Sequence, residues 1–159
     1  MTKLRLSLYQ PEIPQNTGSL IRLSACLEIP IDIIEPCNFL FSEQKLKRSS
    51  MDYINYTNIT IHENWKMFVK QIKKSSNKNR IIAVDIKGNN SIENFLFKKD
   101  DILLMGKESI GLPKIILSDV DLIIRIPMKK NLRSLNLAIS ASIIIGIAMK
   151  QLSEFPKEN

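Results

Sequence analysis

Short runs of Ile, Val and Leu alternate along this chain with segments of helical spacing, and that alternation limits the fold more than any other feature. KLRLSLY carries Leu4, Leu6 and Leu8 at period two, and further apolar runs recur in PIDIIEP, NITIH, RIIAVDI, DILLMG and DLIIRIPM. Six strands are expected. Between them, helical spacing covers Thr17 to Leu27, Ser42 to Lys47, Asn64 to Ile72, Ser91 to Phe97, a turn near Pro113 to Leu117, and Ser134 onward. Strand and helix taking turns predict an α/β fold: a mostly parallel six-stranded sheet, doubly wound with helices on both faces. Binding loops are then expected at the carboxyl ends of the strands. No linker or repeat divides the 159 residues, so a single domain over residues 1–159 is expected.

The formal net charge of +7 favours a polyanionic partner, with nucleic acid as the first candidate. Compositional drift is the competing explanation, because Lys, Ile and Asn are abundant throughout. Two cysteines, Cys26 and Cys37, form no CxxC pair and are too few for a disulfide scaffold; both read as small core residues in a reducing cytoplasm. The N-terminus has no apolar signal region. The longest apolar run, Leu135 to Met149, is broken by Ser140, Ser142 and Gly146 and falls short of the ~20 residues a membrane span needs. A soluble, cytoplasmic protein is expected. His62 is the only histidine, which excludes metal sites built on several histidines and two-His metalloprotease motifs. No metal is expected, and His62 reads as a solvent-facing residue at a strand end.

Four stretches are candidates to carry chemistry. In YQPEIPQNTGSLIRLSA a Pro-rich loop follows the first strand, Asn16 or Thr17 is placed to cap a helix, and Arg22 lies further inside it. LLMGKESIGLPK sets Gly106 and Gly111 around Lys107, Glu108 and Ser109 at the end of a buried strand, where the backbone must turn sharply. It is neither a Walker A loop nor a GxGxxG fingerprint. IPMKKNLRSLN is a basic loop between a strand and an apolar helix, with Ser134 placed as the cap and Lys129, Lys130 and Arg133 as a phosphate patch. SEQKLKRSSMDY gathers Lys45, Lys47 and Arg48 before Tyr53, a basic and aromatic mixture suited to RNA. Taken singly, each reads equally as a capped helix, a tight loop or a solvated surface.

Their order and spacing say more. N-x-G-x-x-x-R after the first strand, G-x-E-x-x-G-L-P after a late one, then I-R-I-P-M and R-S-x-N-L, together resemble the SPOUT class of S-adenosylmethionine-dependent RNA methyltransferases. Within it the resemblance is to the short, single-domain tRNA 2′-O-methyltransferases that modify the wobble ribose, and it covers essentially the whole chain. Three positions depart from that subgroup: Lys107 stands where Pro is usual, and Ala138 and Ile139 replace a Ser-Asn pair.

The resemblance implies a C-terminal trefoil knot, which no pattern argument would propose because knots are rare exceptions to topology rules. It implies that Val84, Met105, Gly106, Gly111, Ile126, Met128, Ser134 and Leu135 hold S-adenosylmethionine, with apolar side chains about adenine and loop backbone reading its edge. It implies a homodimer with a shared active site, in which Arg22, Glu108 and Asn136 are the catalytic residues and the tRNA anticodon stem-loop is the substrate. Asn16, Lys45, Lys47, Arg48, Lys129 and Lys130 are then the RNA-binding residues. The implied reaction is attack of a ribose 2′-oxygen on the sulfonium methyl, releasing S-adenosylhomocysteine. A guanidinium offers no acceptor, so Arg22 is expected to stabilise developing oxyanion charge rather than act as base, and Glu108 to orient loop amides or a basic partner residue rather than take the proton. A methyltransferase for another tRNA or rRNA position and a non-catalytic RNA-binding module remain alternatives.

Overall fold

The computed structural model describes residues 4–39, 51–74 and 79–157. The strands are β1 (Arg5–Tyr9), β2 (Ile31–Ile34), β3 (Ile59–His62), β4 (Ile81–Val84), β5 (Asn90–Ser91), β6 (Ile102–Met105) and β7 (Leu122–Arg125). The α-helices are α1 (Pro14–Cys26), α2 (Trp65–Lys74), α3 (Lys114–Leu117) and α4 (Leu137–Leu152), with 3₁₀ turns at Met51–Tyr56 and Ile92–Asn94. The expected helix at Ser42 to Lys47 lies outside the described residues.

All strand pairs are parallel, in the order β3-β2-β1-β6-β4-β7-β5. Among the described residues the sheet therefore has seven strands rather than six. The seventh is the two-residue β5, in a stretch whose spacing predicts a helix at Ser91 to Phe97. There Asn90 and Ser91 pair with β7, and Ser91 then caps the short turn by accepting from the Glu93 amide. A two-residue strand is too short to leave a period-two pattern.

Strand alternation sorts the core into two layers. Leu6 and Leu8 of β1, Ile31 and Ile33 of β2, Ile82 of β4 and Leu103 and Met105 of β6 pack with Leu20 and Ile21 of α1 and Leu137, Ala141, Ile144 and Ile145 of α4. On the opposite face Tyr9, Ile34, Ala83 and Leu104 pack with Phe68 of α2 and Ile116 of α3. Central parallel strands covered on both faces must be apolar on both, which is why they read as continuous Ile/Val/Leu runs. Among the described residues no helix is long and apolar enough to cross a membrane.

One polar group interrupts the second layer. Asp32 is fully buried: Arg5 Nη1 donates to its Oδ1 (2.8 Å), Ser7 Oγ donates to its Oδ2 (3.0 Å), and His62 Nε2 lies 2.9 Å from Oδ1. His62 is thus buried, not solvent-facing, because α2 covers it with Phe68, whose ring meets the imidazole edge-on at 5.1 Å. Neither cysteine is a fully buried core residue. Cys26, at the last position of α1, is exposed, and Cys37 is half-buried, its thiol pushed up to about 12 by burial and the nearby Glu35 and Glu108 carboxylates.

Removing the carboxylate strands three polar partners inside the sheet. Asp32→Ala is expected to cost about 3 kcal/mol, the penalty typical of breaking a buried charged network from one side. Asp32→Asn, which keeps acceptor and shape, should cost clearly less; urea unfolding of both variants measures the difference.

Candidate active site

The loops after β4, β6 and β7, adjacent strands in the sheet, converge on one cleft of about 510 Å³. Two of these loops are held together by Arg125 at the end of β7, whose Nη1 donates to the carbonyls of Gly88 (2.6 Å) and Asn89 (3.0 Å). The loop after β6 closes on itself, the Lys107 amide donating to the Gly111 carbonyl (3.2 Å) and the Gly111 amide to the Lys107 carbonyl (2.9 Å). Its glycines are a steric requirement. A Cβ on Gly106 would stand 2.5 Å from the carbonyl carbon of Gly111, and Gly111 has a φ of +69°.

The cleft wall brings together all eight residues assigned to the donor, namely Val84, Met105, Gly106, Gly111, Ile126, Met128, Ser134 and Leu135, together with Asn16, Glu108 and Asn136. Arg22 is not among the lining residues. It is exposed on α1, its guanidinium carbon 5.2 Å from the centre of the Tyr53 ring. Lys129 and Lys130 are exposed on the loop after β7, outside the cleft wall, and Lys45, Lys47 and Arg48 lie outside the described residues. The cleft also takes in Asp85, Lys87, Arg133 and Ser140. Asp85 and Lys87 fall within the 84–88 loop, where their place at a strand's carboxyl end was the available signal.

Side chains tie the loops to the two helices. Glu108 accepts from the backbone amides of Glu12 (2.8 Å) and Ile13 (3.2 Å) and from Asn16 Nδ2 (3.2 Å). Asn16 Oδ1 in turn accepts from Asn136 Nδ2 (3.0 Å), and Asn136 Oδ1 accepts from the amides of Ala138 (2.8 Å) and Ile139 (3.3 Å). Two expected caps are corrected here. Helix α1 starts at Pro14 with Ile13 at its N-cap, so Asn16 and Thr17 sit inside it and Glu108, 92 residues from Asn16, supplies the anion at its start. Asn136, not Ser134, caps α4, because burying Leu137 together with Ala141 and Ile144 fixes where the helix must begin.

The same clasp runs in reverse, since Glu12 accepts from the Ser109 amide at 2.9 Å. Hydrogen bonds from the Ser109 side chain and backbone hold the Glu12 carboxyl below the ordinary glutamate range, against a small opposing effect of burial and with help from Lys107. The side chains of Ala138 and Ile139 do not line the cleft; their amides go to Asn136.

A parallel α/β sheet whose central strand ends carry a partly apolar cleft walled by tight loop backbone belongs to the class of folds that place a cleft of small-ligand size at the carboxyl edge of the sheet. The chain belongs to the SpoU rRNA Methylase family, whose model matches residues 3–146. It is 37% identical, over 96% of its length and 94% of the relative's, to a tRNA (cytidine(34)-2′-O)-methyltransferase of Beijerinckia indica. A solved structure described as giving structural insights into the 2-OH methylation of C/U34 on tRNA superposes with a TM-score of 0.89 at 37% identity, covering 96% of this chain and 97% of that one. The SpoU methyltransferase AviRb from Streptomyces viridochromogenes, in complex with the cofactor AdoMet, shares the fold at 23% identity, with a TM-score of 0.87 over 96% of this chain and 61% of that one.

Because the folded-state pKa of Glu12 is depressed, its clasp to Ser109 is complete above the ordinary glutamate range and is lost only as pH falls through the lowered value. An NMR titration of the Ser109 amide should therefore show a midpoint below about 4.3, the unperturbed glutamate value. Glu12→Gln should abolish that transition.

Proposed function

We propose that this chain transfers a methyl group from S-adenosylmethionine to the ribose 2′-hydroxyl of the nucleotide at position 34 of tRNA, as a homodimer whose active sites are shared between subunits. The observation that carries this reading is the convergence of the cleft with the Glu108–Asn16–Asn136 chain of hydrogen bonds, which joins the donor loops to the helix bearing Arg22.

The cleft fits the donor. Its volume lies within the ~300–1,000 Å³ of small-ligand sites. Val84, Met105, Ile126 and Leu135 offer apolar contact for a base, and the backbone of Gly106 and Gly111 offers polar groups at close approach. When bound, S-adenosylmethionine supplies an electrophilic methyl group with a neutral thioether as leaving group, so the chain needs no acid at that end. What it must provide is alignment of the ribose oxygen and accommodation of charge on it. Arg22 supplies fixed N–H donors and positive charge for the developing oxyanion and the neighbouring phosphate. Glu108 acts as the fixed point of the loops. Its carboxylate is occupied by three donors, which suits positioning and not proton uptake.

Arg22 lies outside the cleft of its own chain, which a second subunit presenting its Arg22 would complete. Supporting that arrangement, α4 turns Ile139 and Ile143 to solvent one helical turn apart, at 53% and 37% exposure, an apolar strip suited to a second copy. The reading also assigns a trefoil knot to the segment ending in α4, supported by the packing of the 84–88, 105–111 and 126–136 loops around one cleft. Lys45, Lys47, Arg48, Lys129 and Lys130, with Asn16, are assigned to the RNA.

Bulk tRNA methylated with labelled donor and then hydrolysed in alkali should be protected at the linkage following nucleotide 34; label at another position would remove the reading. Arg22→Ala is expected to lower kcat by about 10²–10³, as loss of one oxyanion donor does, while Arg22→Lys keeps measurable turnover. If the site is shared, mixing inactive Arg22→Ala and Gly106→Ala subunits should restore about a quarter of wild-type activity, because half of the dimers carry one intact site of two.

A further inference from the structure

Tyr53 sits on the 3₁₀ turn Met51–Tyr56, away from the cleft, yet it is fixed to α1 at the residue that matters. The guanidinium carbon of Arg22 lies over its ring, 5.2 Å from the centroid. The Thr57 hydroxyl lies within hydrogen-bonding distance of the Tyr53 carbonyl (2.8 Å) and of the carbonyl of Ile21 (3.2 Å), the residue preceding Arg22. Ile54, between them, packs on the core shared with α1. Ring, hydroxyl and apolar side chain thus seat this turn on the stretch of helix from which Arg22 projects.

We propose that Tyr53 is a positioning residue for the reaction, holding the Arg22 guanidinium over its ring so that the cation reaches the reacting ribose already oriented. The proposal rests on the reading of Arg22 as the catalytic cation. An aromatic ring attracts the cation through its quadrupole and restricts a long side chain. The contact with Tyr53 therefore contributes to ordering Arg22 before the transition state, where rotamer freedom would otherwise be lost.

The test is a double-mutant cycle on the full-length protein with tRNA and S-adenosylmethionine. Tyr53→Leu should lower kcat about 3- to 10-fold, the range expected for losing a partly exposed cation–π contact and its ordering, with KM for the donor unchanged. Tyr53→Phe should stay within about twofold of wild type, because the ring remains. In an Arg22→Ala background Tyr53→Leu should cost nothing further. Phenylalanines of increasing fluorination at position 53 keep the shape while weakening the quadrupole, so kcat should fall stepwise along that series even if Tyr53→Leu fails to fold. Two outcomes overturn the proposal: an equal loss from Tyr53→Leu with and without Arg22, or a flat fluorination series. An Arg22→Ala enzyme with wild-type turnover would instead overturn the catalytic reading of Arg22, which keeps the two failures distinct.

Discussion

The position of β6 decides where everything else can go. The strand enters the sheet between β1 and β4, hydrogen-bonded in parallel to both, with Leu103 level with Leu6 on one side and Ile82 on the other. Its four residues are buried, so the register is set twice over, by two ladders and by two apolar faces. The loop that leaves it cannot drift. Gly106 to Gly111 must turn at the carboxyl end between the loop after β1 and the loop after β4, and those neighbours become the walls and rim of the cleft.

From that fixed loop a chain of polar contacts carries position outward. Glu108 satisfies amides at the start of α1, Asn16 passes from α1 to Asn136, and Asn136 caps α4. Each contact is modest alone, on the order of 1 kcal/mol for a typical hydrogen bond or cap. Their value lies in connection: two helices start where the loops of the cleft end, and a side chain on α1 keeps a defined relation to a cleft it does not line. The Thr57 and Tyr53 contacts extend the same logic further along α1, to Arg22.

Much of this is legible in the amino-acid sequence. Six strands read as apolar runs because a covered parallel sheet makes both faces of a strand hydrophobic, and Gly106, Glu108, Gly111, Ser134 and Asn136 stood out through ordered motifs. Local pattern is silent on groups whose partners are remote. Asn16, Thr17 and Ser134 all look like caps, but the amides at the start of α1 go to Glu108 from another loop, and burial of Leu137 moves the start of α4 past Ser134. His62 reads as a strand-end residue facing water until Asp32, 30 residues away, and Phe68 enclose it. Cys26, apolar by composition, ends its helix on the exposed side.

Local pattern in the chain is enough for the order of elements, the layering of apolar residues and the identity of the loops that line the cleft, because periodicity and turn residues are local and each residue answers to its neighbours. The tertiary structure alone decided which strand lies beside which, which carboxylate serves which helix, and that Arg22 stands beside Tyr53 and outside its own chain's cleft. Those choices depend on contacts between residues 30 to 120 positions apart. They emerge only when burying both faces of one sheet brings distant loops to a common edge.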